Sequence, residues 1–222
     1  MHEIVLATAN PHKVEELRAI FAAAGVSVIG FNDLPASSLP AGGLREPDET
    51  GRTFEENATI KALSYAQQSG RVCLADDSGI EIDALALPDG TPRPGVISSH
   101  YSTDGRETGL SRAERDAANN ARVLRELDGV VPEKRAARFV CVMVLAEPGK
   151  VLATSRGTFE GRIGIPPRAP SGTNGFGYDP LFLVAPDFAR TGAELASEEK
   201  NRMSHRARAG EQMSRQLRSL FA

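Results

Sequence analysis

With 222 residues, 41% of them hydrophobic and 25% charged, the chain has the balance of an ordinary globular protein with one large domain. A formal net charge of −3, with no run of basic residues longer than two, argues against a nucleic-acid surface, which shows a basic patch or stripe. The start, MHEIVLATAN, lacks the charged, apolar and cleavage regions of a signal peptide, and no apolar run approaches the ~18 residues that span a bilayer, so a cytoplasmic protein is expected.

Glu3 to Thr8 read as a short strand rich in Ile and Val. Asn10 then stands as a helix N-cap with Pro11 at the first helical position, where its missing N–H costs nothing. Val14, Leu17, Phe21 and Ala24 recur at helical spacing. Lys13 is awkward, because it places a cation beside the positive end of that helix dipole. Val26–Phe31 reads as a second strand, and Asn32 to Arg52, rich in Pro, Gly and acidic residues, as an exposed irregular loop. Thr53 caps a helix with Glu56 as its capping-box partner, an apolar stripe of Phe54, Ala58, Ala62 and Tyr65, and Gly70 at its end.

VCLADDSG follows as strand then turn, Ile80 to Leu85 as a further strand, and LPDGTPRPG as a loop. Ser111 to Leu127 form a helix that is polar on most of its circumference. Arg138–Ala146 and Val151–Phe159 pair as a hairpin around Glu147-Pro148-Gly149-Lys150, and Leu181–Val184 is a short strand. A final helix runs from Lys200, with Met203, Ala207, Gly210, Met213, Leu217 and Leu220 on one face. Strands and helices alternate early and strands pair mid-chain, which points to an α/β fold with a mixed sheet. Cys73 and Cys141 lie in apolar strand-like runs without CxxC spacing, as buried thiols of a reducing compartment do.

Familiar phosphate and metal devices are missing: there is no GxxxxGK[ST], no GxGxxG after a strand and no HExxH. Other residues carry charge that packing does not explain. Asp76-Asp77 ends an apolar strand, and adjacent carboxylates there are unfavourable unless a cation or helix end offsets them. Grouped acids hold Mg²⁺, a hard ion that takes oxygen ligands, and Glu55 and Glu56 are available to join them. Three glycines within Ser171–Gly177 read either as tight turns or as a wall where backbone approaches a flat ligand, with Phe176 as a stacking ring. Lys200, His205, Arg206 and Arg208 gather at a helix start, the oddity of Lys13 repeated. Lys61, mid-helix in ENATIKA, is unremarkable on its own; a polyphosphate with Mg²⁺ would draw the other cations to helix N-termini, with Asp77 and Glu56 on the metal.

In order along nearly the whole chain, TANPHK (Thr8–Lys13), TFEENATIKA (Thr53–Ala62), LADDSGIEIDAL (Leu74–Leu85), GTNGFGYDPLF (Gly172–Phe182) and EEKNRMSHRARA (Glu198–Ala209) resemble the inosine/xanthosine triphosphate pyrophosphatases. The resemblance implies Mg²⁺-dependent hydrolysis of the triphosphates of deaminated purines (ITP, dITP, XTP) to monophosphate and pyrophosphate. It implies a single domain over 1–222, a mixed α/β sheet with two lobes around a central nucleotide-binding cleft, a homodimer, and neither nucleic-acid nor membrane partners.

By the same resemblance Asp77 is the general base and a metal ligand, and Glu56 the second metal carboxylate. Thr8, Ala9, Asn10, Pro11, His12, Lys13, Lys61 and Lys200 fall where the family holds the triphosphate, and Ser78 at a substrate contact. Phe176, Gly177, Tyr178 and Asp179, with His205 and Arg206, match the base-recognition wall. Lys13→Ala is then expected to impair turnover without weakening the unliganded protein.

Two departures stand out. His100 sits where the family has arginine, and the LPDGTPR loop is longer than usual. A catalytically silent nucleotide-binding protein of the same fold is the alternative; intact Asp77, Glu56 and Lys13 argue against it.

Overall fold

The computed structural model describes residues 4–8, 11–23, 25–34 and 43–220. A six-stranded sheet has the order β2-β1-β3-β4-β5-β6. β1 (Ile4–Leu6) pairs in parallel with β2 (Val28–Gly30) and with β3 (Cys73–Ile82). Between β1 and β2 runs α1 (Pro11–Ala23), so the chain opens with a β-α-β crossover, as parallel neighbours require. The mixed α/β sheet expected from the alternation of elements is the fold observed. Both early strands are shorter than their apolar runs suggested, and Glu3 and Ala24 lie outside the described residues.

The largest departure from the sequence expectation concerns Asp76–Gly79. These residues make no turn: β3 runs unbroken from Cys73 to Ile82, taking in the first half of the strand expected over Ile80–Leu85, while Asp83–Leu85 is a 3₁₀ turn instead. Turn propensity gives way here because the strand is buried on either side of the polar residues and Ser98 meets its backbone, Oγ accepting from Ile80 N at 2.9 Å. A Cβ at Gly79 would lie 2.3 Å from Ser98 Oγ, so a bare backbone is required there.

α2 (Phe54–Ser69) begins at Thr53 with a reciprocal capping box to Glu56 and ends at Gly70 in the left-handed conformation, φ 66°. Gly43 to Arg52 has no regular structure, as expected, and residues 35–42 lie outside the described ones. Past a 3₁₀ stretch at Gly95–Thr103, Ser111 caps α3 (Arg112–Glu126), which buries only Asn119 and Val123. β4 (Ala136–Glu147) and β5 (Lys150–Ile163) flank the expected Pro148-Gly149 turn, with Gly149 at φ 81°. β6 (Phe182–Val184) is antiparallel to β5. The single final helix is instead two, α4 (Ser197–Met203) and α5 (His205–Leu220), broken at Ser204 in extended conformation. Met203 therefore leaves the expected apolar face, and Leu220 is exposed; Ala209, Gly210, Met213 and Leu217 bury the helix.

Two compact units divide the chain. The first is Met1–Ser78, Cys141–Gly157 and His205–Ala222; the second is Gly79–Val140 and Thr158–Ser204. Ile4, Leu6, Phe21, Leu74, Met143 and Met213 pack the first core. Ile80, Tyr101, Phe139, Phe159, Leu181 and Phe182 pack the second. Each such side chain removed from water stabilises the fold by roughly 1.5–3 kcal/mol. Cys73 and Cys141 are buried and form no disulfide among the described residues. Among the described residues no helix is long and apolar enough to cross a membrane.

Candidate active site

In the first unit, β1 ends at Leu6 and β3 carries its charge in mid-strand, just past Cys73 and Leu74, which pair with β1. β3 presents Asp76, Asp77 and Ser78 in succession, and both carboxylates are buried. Asp76 Oδ2 accepts from Lys13 Nζ at 2.9 Å and from Ser78 Oγ at 2.8 Å, and Arg206 Nε lies 3.7 Å away. Burial alone would raise the Asp76 pKa; the positive charges of Lys13, Arg206 and Lys61 overcome it and hold the carboxyl well below the usual range. Lys13 is therefore not a stray cation at a helix start: it is the partner of a buried aspartate.

Asp77 has the opposite balance. Its Oδ1 accepts from Lys61 Nζ at 3.0 Å, yet burial outweighs that pairing and pushes its pKa up. Oδ2 of Asp77 is buried and has no hydrogen-bond partner among the described residues. Lys61 is buried too, and although burial opposes its charge, Asp77, Asp76 and Glu49 together raise its pKa. Two neighbouring acids on one strand thus carry different protonation tendencies, the pattern by which proteins assign separate roles to paired carboxylates.

Glu49 is a residue that sequence reasoning missed. Its Oε1 stands 3.2 Å from Lys61 Nζ, in a loop with neither helical nor strand periodicity to single it out. Glu56, named from the sequence as a metal carboxylate, spends Oε2 on the backbone N–H groups of Arg52 and Thr53 at 2.5 and 3.2 Å, holding the start of α2. Thr8 follows β1, and its N–H bonds to Leu6 O. Ala9 and Asn10, and with Asn10 the expected N-cap, lie outside the described residues, as do the side chains of Pro11 and His12, whose backbone opens α1.

His205 and Arg206 begin α5 and are buried. The guanidinium of Arg206 reaches Ser78 Oγ at 3.3 Å, so its contacts lie with the lysine–carboxylate group. Gly157 of β5 makes this possible: a Cβ there would lie 2.2 Å from His205 O and 2.4 Å from Ala209 N.

The second unit holds the aromatic group. Phe176 is 41% exposed, unusual for so large an apolar ring. The Arg112 guanidinium carbon sits 4.3 Å from its centroid and Lys200 Nζ 5.4 Å. Tyr178 and Asp179 do not share that exposure. Tyr178 is buried and donates to Ser98 O at 2.7 Å, while Asp179 Oδ2 accepts from Phe176 N at 2.8 Å and also pairs with Lys200. These two hold the loop in shape. Gly175, at φ 76°, is needed for the same reason, since a Cβ would meet Asp179 Oδ2 at 2.2 Å. The break at Ser204 thus divides the cations read from sequence as one cluster: Lys200 pairs with Asp179, and His205 and Arg206 open the next helix. His100 lies 2.6 Å from Arg115 Nη1 and 2.9 Å from Glu107 Oε2, so α3 supplies an arginine beside the position where the resemblance expects one.

Residues 4–216 match the family model described as the Ham1 family, and the chain belongs to that family. A dITP/XTP pyrophosphatase of Nitratidesulfovibrio vulgaris is 46% identical over 206 residues, covering 93% of this chain and 91% of its own. One from Geobacillus kaustophilus is 44% identical over 209 residues, covering 94% and 91%. Among solved structures, a HAM1 protein from Coxiella burnetii superposes with a TM-score of 0.79 at 38% identity, over 99% of this chain and 100% of its own. The nucleoside-triphosphatase, or dITP/XTP pyrophosphatase, from Mycobacterium abscessus gives a TM-score of 0.67 at 36% identity, over 99% and 98%.

Proposed function

We propose that this chain hydrolyses the triphosphates of deaminated purines, ITP, dITP and XTP, to the monophosphate and pyrophosphate. The observation that carries the reading is Asp77: buried, with Lys61 on one oxygen and, among the described residues, no hydrogen-bond partner on the other, in a chain whose relatives are named dITP/XTP pyrophosphatases. An aspartate whose pKa is raised by burial is a better proton acceptor than a solvent-exposed one. Asp77 takes the proton of the water whose oxygen bonds to the α-phosphorus, while the bond from that phosphorus to the oxygen bridging to the β-phosphate breaks and pyrophosphate leaves. Lys13, Lys61 and Lys200 balance the charge of the triphosphate, since phosphoryl transfer rests on positioning and electrostatics more than on covalent help.

The donor set fits Mg²⁺. Among the described residues no group of three or more His, Cys, Asp or Glu side chains forms a protein-only metal cage. Mg²⁺ does not ask for one, being held by one or two carboxylates together with substrate phosphates and water. The unpartnered Asp77 oxygen would be one ligand. Glu56 is expected as the second, its Oε2 holding the start of α2, and Glu49, in contact with Lys61, is a further carboxylate beside the Asp77–Lys61 pair. When bound, the ion would neutralise charge on the phosphate oxygens.

Selectivity for hypoxanthine and xanthine follows from their C6 carbonyl, which a buried donor recognises. The amine of ATP leaves such a donor unpaired, a penalty that discriminates strongly. Arg206 is a buried donor for such a contact, with the Phe176 ring as a stacking surface. The same reading carries a homodimer in the cytoplasm, which size-exclusion chromatography and cell fractionation check.

One assay decides the activity: ITP, XTP, GTP and ATP with Mg²⁺, scoring pyrophosphate against orthophosphate. ITP and XTP turnover with pyrophosphate release is expected. Orthophosphate release, or equal rates on ATP and ITP, overturns the reading; binding without turnover would make the chain a silent nucleotide binder.

A further inference from the structure

Arg112, Asp116 and Asn120 stand four residues apart along α3 and so lie on one face of the helix. All three meet the same short segment. Asp116 Oδ2 accepts from Gly177 N at 2.9 Å, Asn120 Nδ2 donates to Gly177 O at 3.0 Å, and Arg112 covers the Phe176 ring at 4.3 Å. With Asp179 taking Phe176 N, the backbone on the C-terminal side of the ring has its polar groups bound by side chains.

This anchoring does not serve the core. Phe176 remains 41% exposed, and neither Asp116 nor Asn120 is among the buried residues of α3. An exposed aromatic ring gains nothing for folding by being held still, whereas a stacking surface that is already fixed spares its ligand the entropy of ordering it.

We propose that Asp116 and Asn120, with Arg112, are positioning residues that hold the Phe176 ring ready for the purine base. This rests on the reading of Phe176 as the base-stacking surface. None of the three touches the reacting atoms. Loosening the loop should weaken recognition of the base more than recognition of the phosphates, because Lys13, Lys61 and Asp77 belong to other elements and Lys200 is held by Asp179, which these substitutions leave in place.

Steady-state kinetics on ITP test this, with inorganic tripolyphosphate as a base-free competitor. Asp116→Ala and Asn120→Ala loosen the ring without removing it, so each should forfeit part of the stacking and raise KM for ITP about 5–20-fold, with kcat and the tripolyphosphate inhibition constant changed less than about twofold. Asp116→Asn keeps an oxygen that accepts from Gly177 N and should recover most of the loss. Melting temperatures of the variants should match that of the parent protein, both side chains being partly exposed. An unchanged KM in both alanine variants overturns the proposal while leaving the activity itself standing. So does a rise in the tripolyphosphate constant equal to that in KM, which would mean general distortion. A parent protein that turns over no ITP overturns the underlying reading and this inference together.

Discussion

Lys13 Nζ donates to Asp76 Oδ2 at 2.9 Å, joining the first turn of α1 to the buried middle of β3. The lysine that is unfavourable at a helix N-terminus is there because β3 carries a buried carboxylate that needs it. This reverses the expectation that Lys13→Ala spares stability. Removing Lys13 leaves Asp76 with Ser78 and the more distant Arg206, and an under-compensated buried acceptor costs about 1–3 kcal/mol. For a chain of this size each kcal/mol lowers Tm by about 2–4 °C. Calorimetry on the unliganded variant should show that drop, and KM for ITP should rise as well. A Tm equal to the parent's would mean the pair contributes nothing to the fold.

Asp77 should separate stability from activity. Its raised pKa says that its surroundings, dominated by burial, disfavour the charged form, so Asp77→Asn should leave Tm unchanged or higher at neutral pH. Loss of a general base typically costs about 10²–10⁴ in rate, and a fall in kcat of that order is expected. Lys61 lowers the Asp77 pKa, so Lys61→Gln should move the acid limb of the kcat profile to higher pH, apart from any loss in affinity. A limb that stays in place would remove Lys61 from the account of the base.

The two aspartates also predict opposite signs in the acid stability curve. Asp76, with its pKa depressed in the folded state, contributes stability that is full above the unfolded value of about 4 and is lost as pH falls below it. Asp77, with its pKa raised, contributes stability that is full below about 4 and is lost as pH rises through its folded value. Urea midpoints from pH 2 to 7 should therefore show Asp76→Asn with a flattened acid slope, and Asp77→Asn without the decline above pH 4. Parallel curves for all three proteins would show that neither group is linked to folding in this way.

Much of this was legible in the chain. Thr53 and Glu56 announced their capping box, Gly70 its helix end, and the alternation of strands and helices the mixed sheet. Asp77, Lys13 and Arg206 stood out as charged residues without a packing reason, Lys61 and Ser78 entered only through the resemblance, and the structure brings them together with Asp76. Three features were not legible. Asp76–Gly79 has turn chemistry but sits in a strand, because its neighbours are buried and Ser98 binds its backbone, a tertiary effect that no local propensity encodes. The break at Ser204 hides in a run of good helix formers. Glu49 gains meaning only from Lys61, twelve residues on and in another element, and a loop position has no period to betray it.

Gly157 offers a test of how α5 is placed. It lies in β5, and a methyl group there would come within 2.2 Å of His205 O and 2.4 Å of Ala209 N, both backbone atoms of the helix that begins with His205 and Arg206. A flexible side chain could swing away from such a contact, but helix backbone cannot yield without moving the whole first turn. Overpacking of this kind costs about 1–3 kcal/mol, so Gly157→Ala should lower Tm by several degrees. Moving the first turn also carries Arg206 from Ser78 and Asp76, which deprives Asp76 of a positive neighbour. The variant should therefore lose ITP turnover out of proportion to its loss of stability when both are measured well below its Tm. Full kcat/KM together with an unshifted Tm would show that the strand and helix have room between them and that Gly157 does not set the position of Arg206.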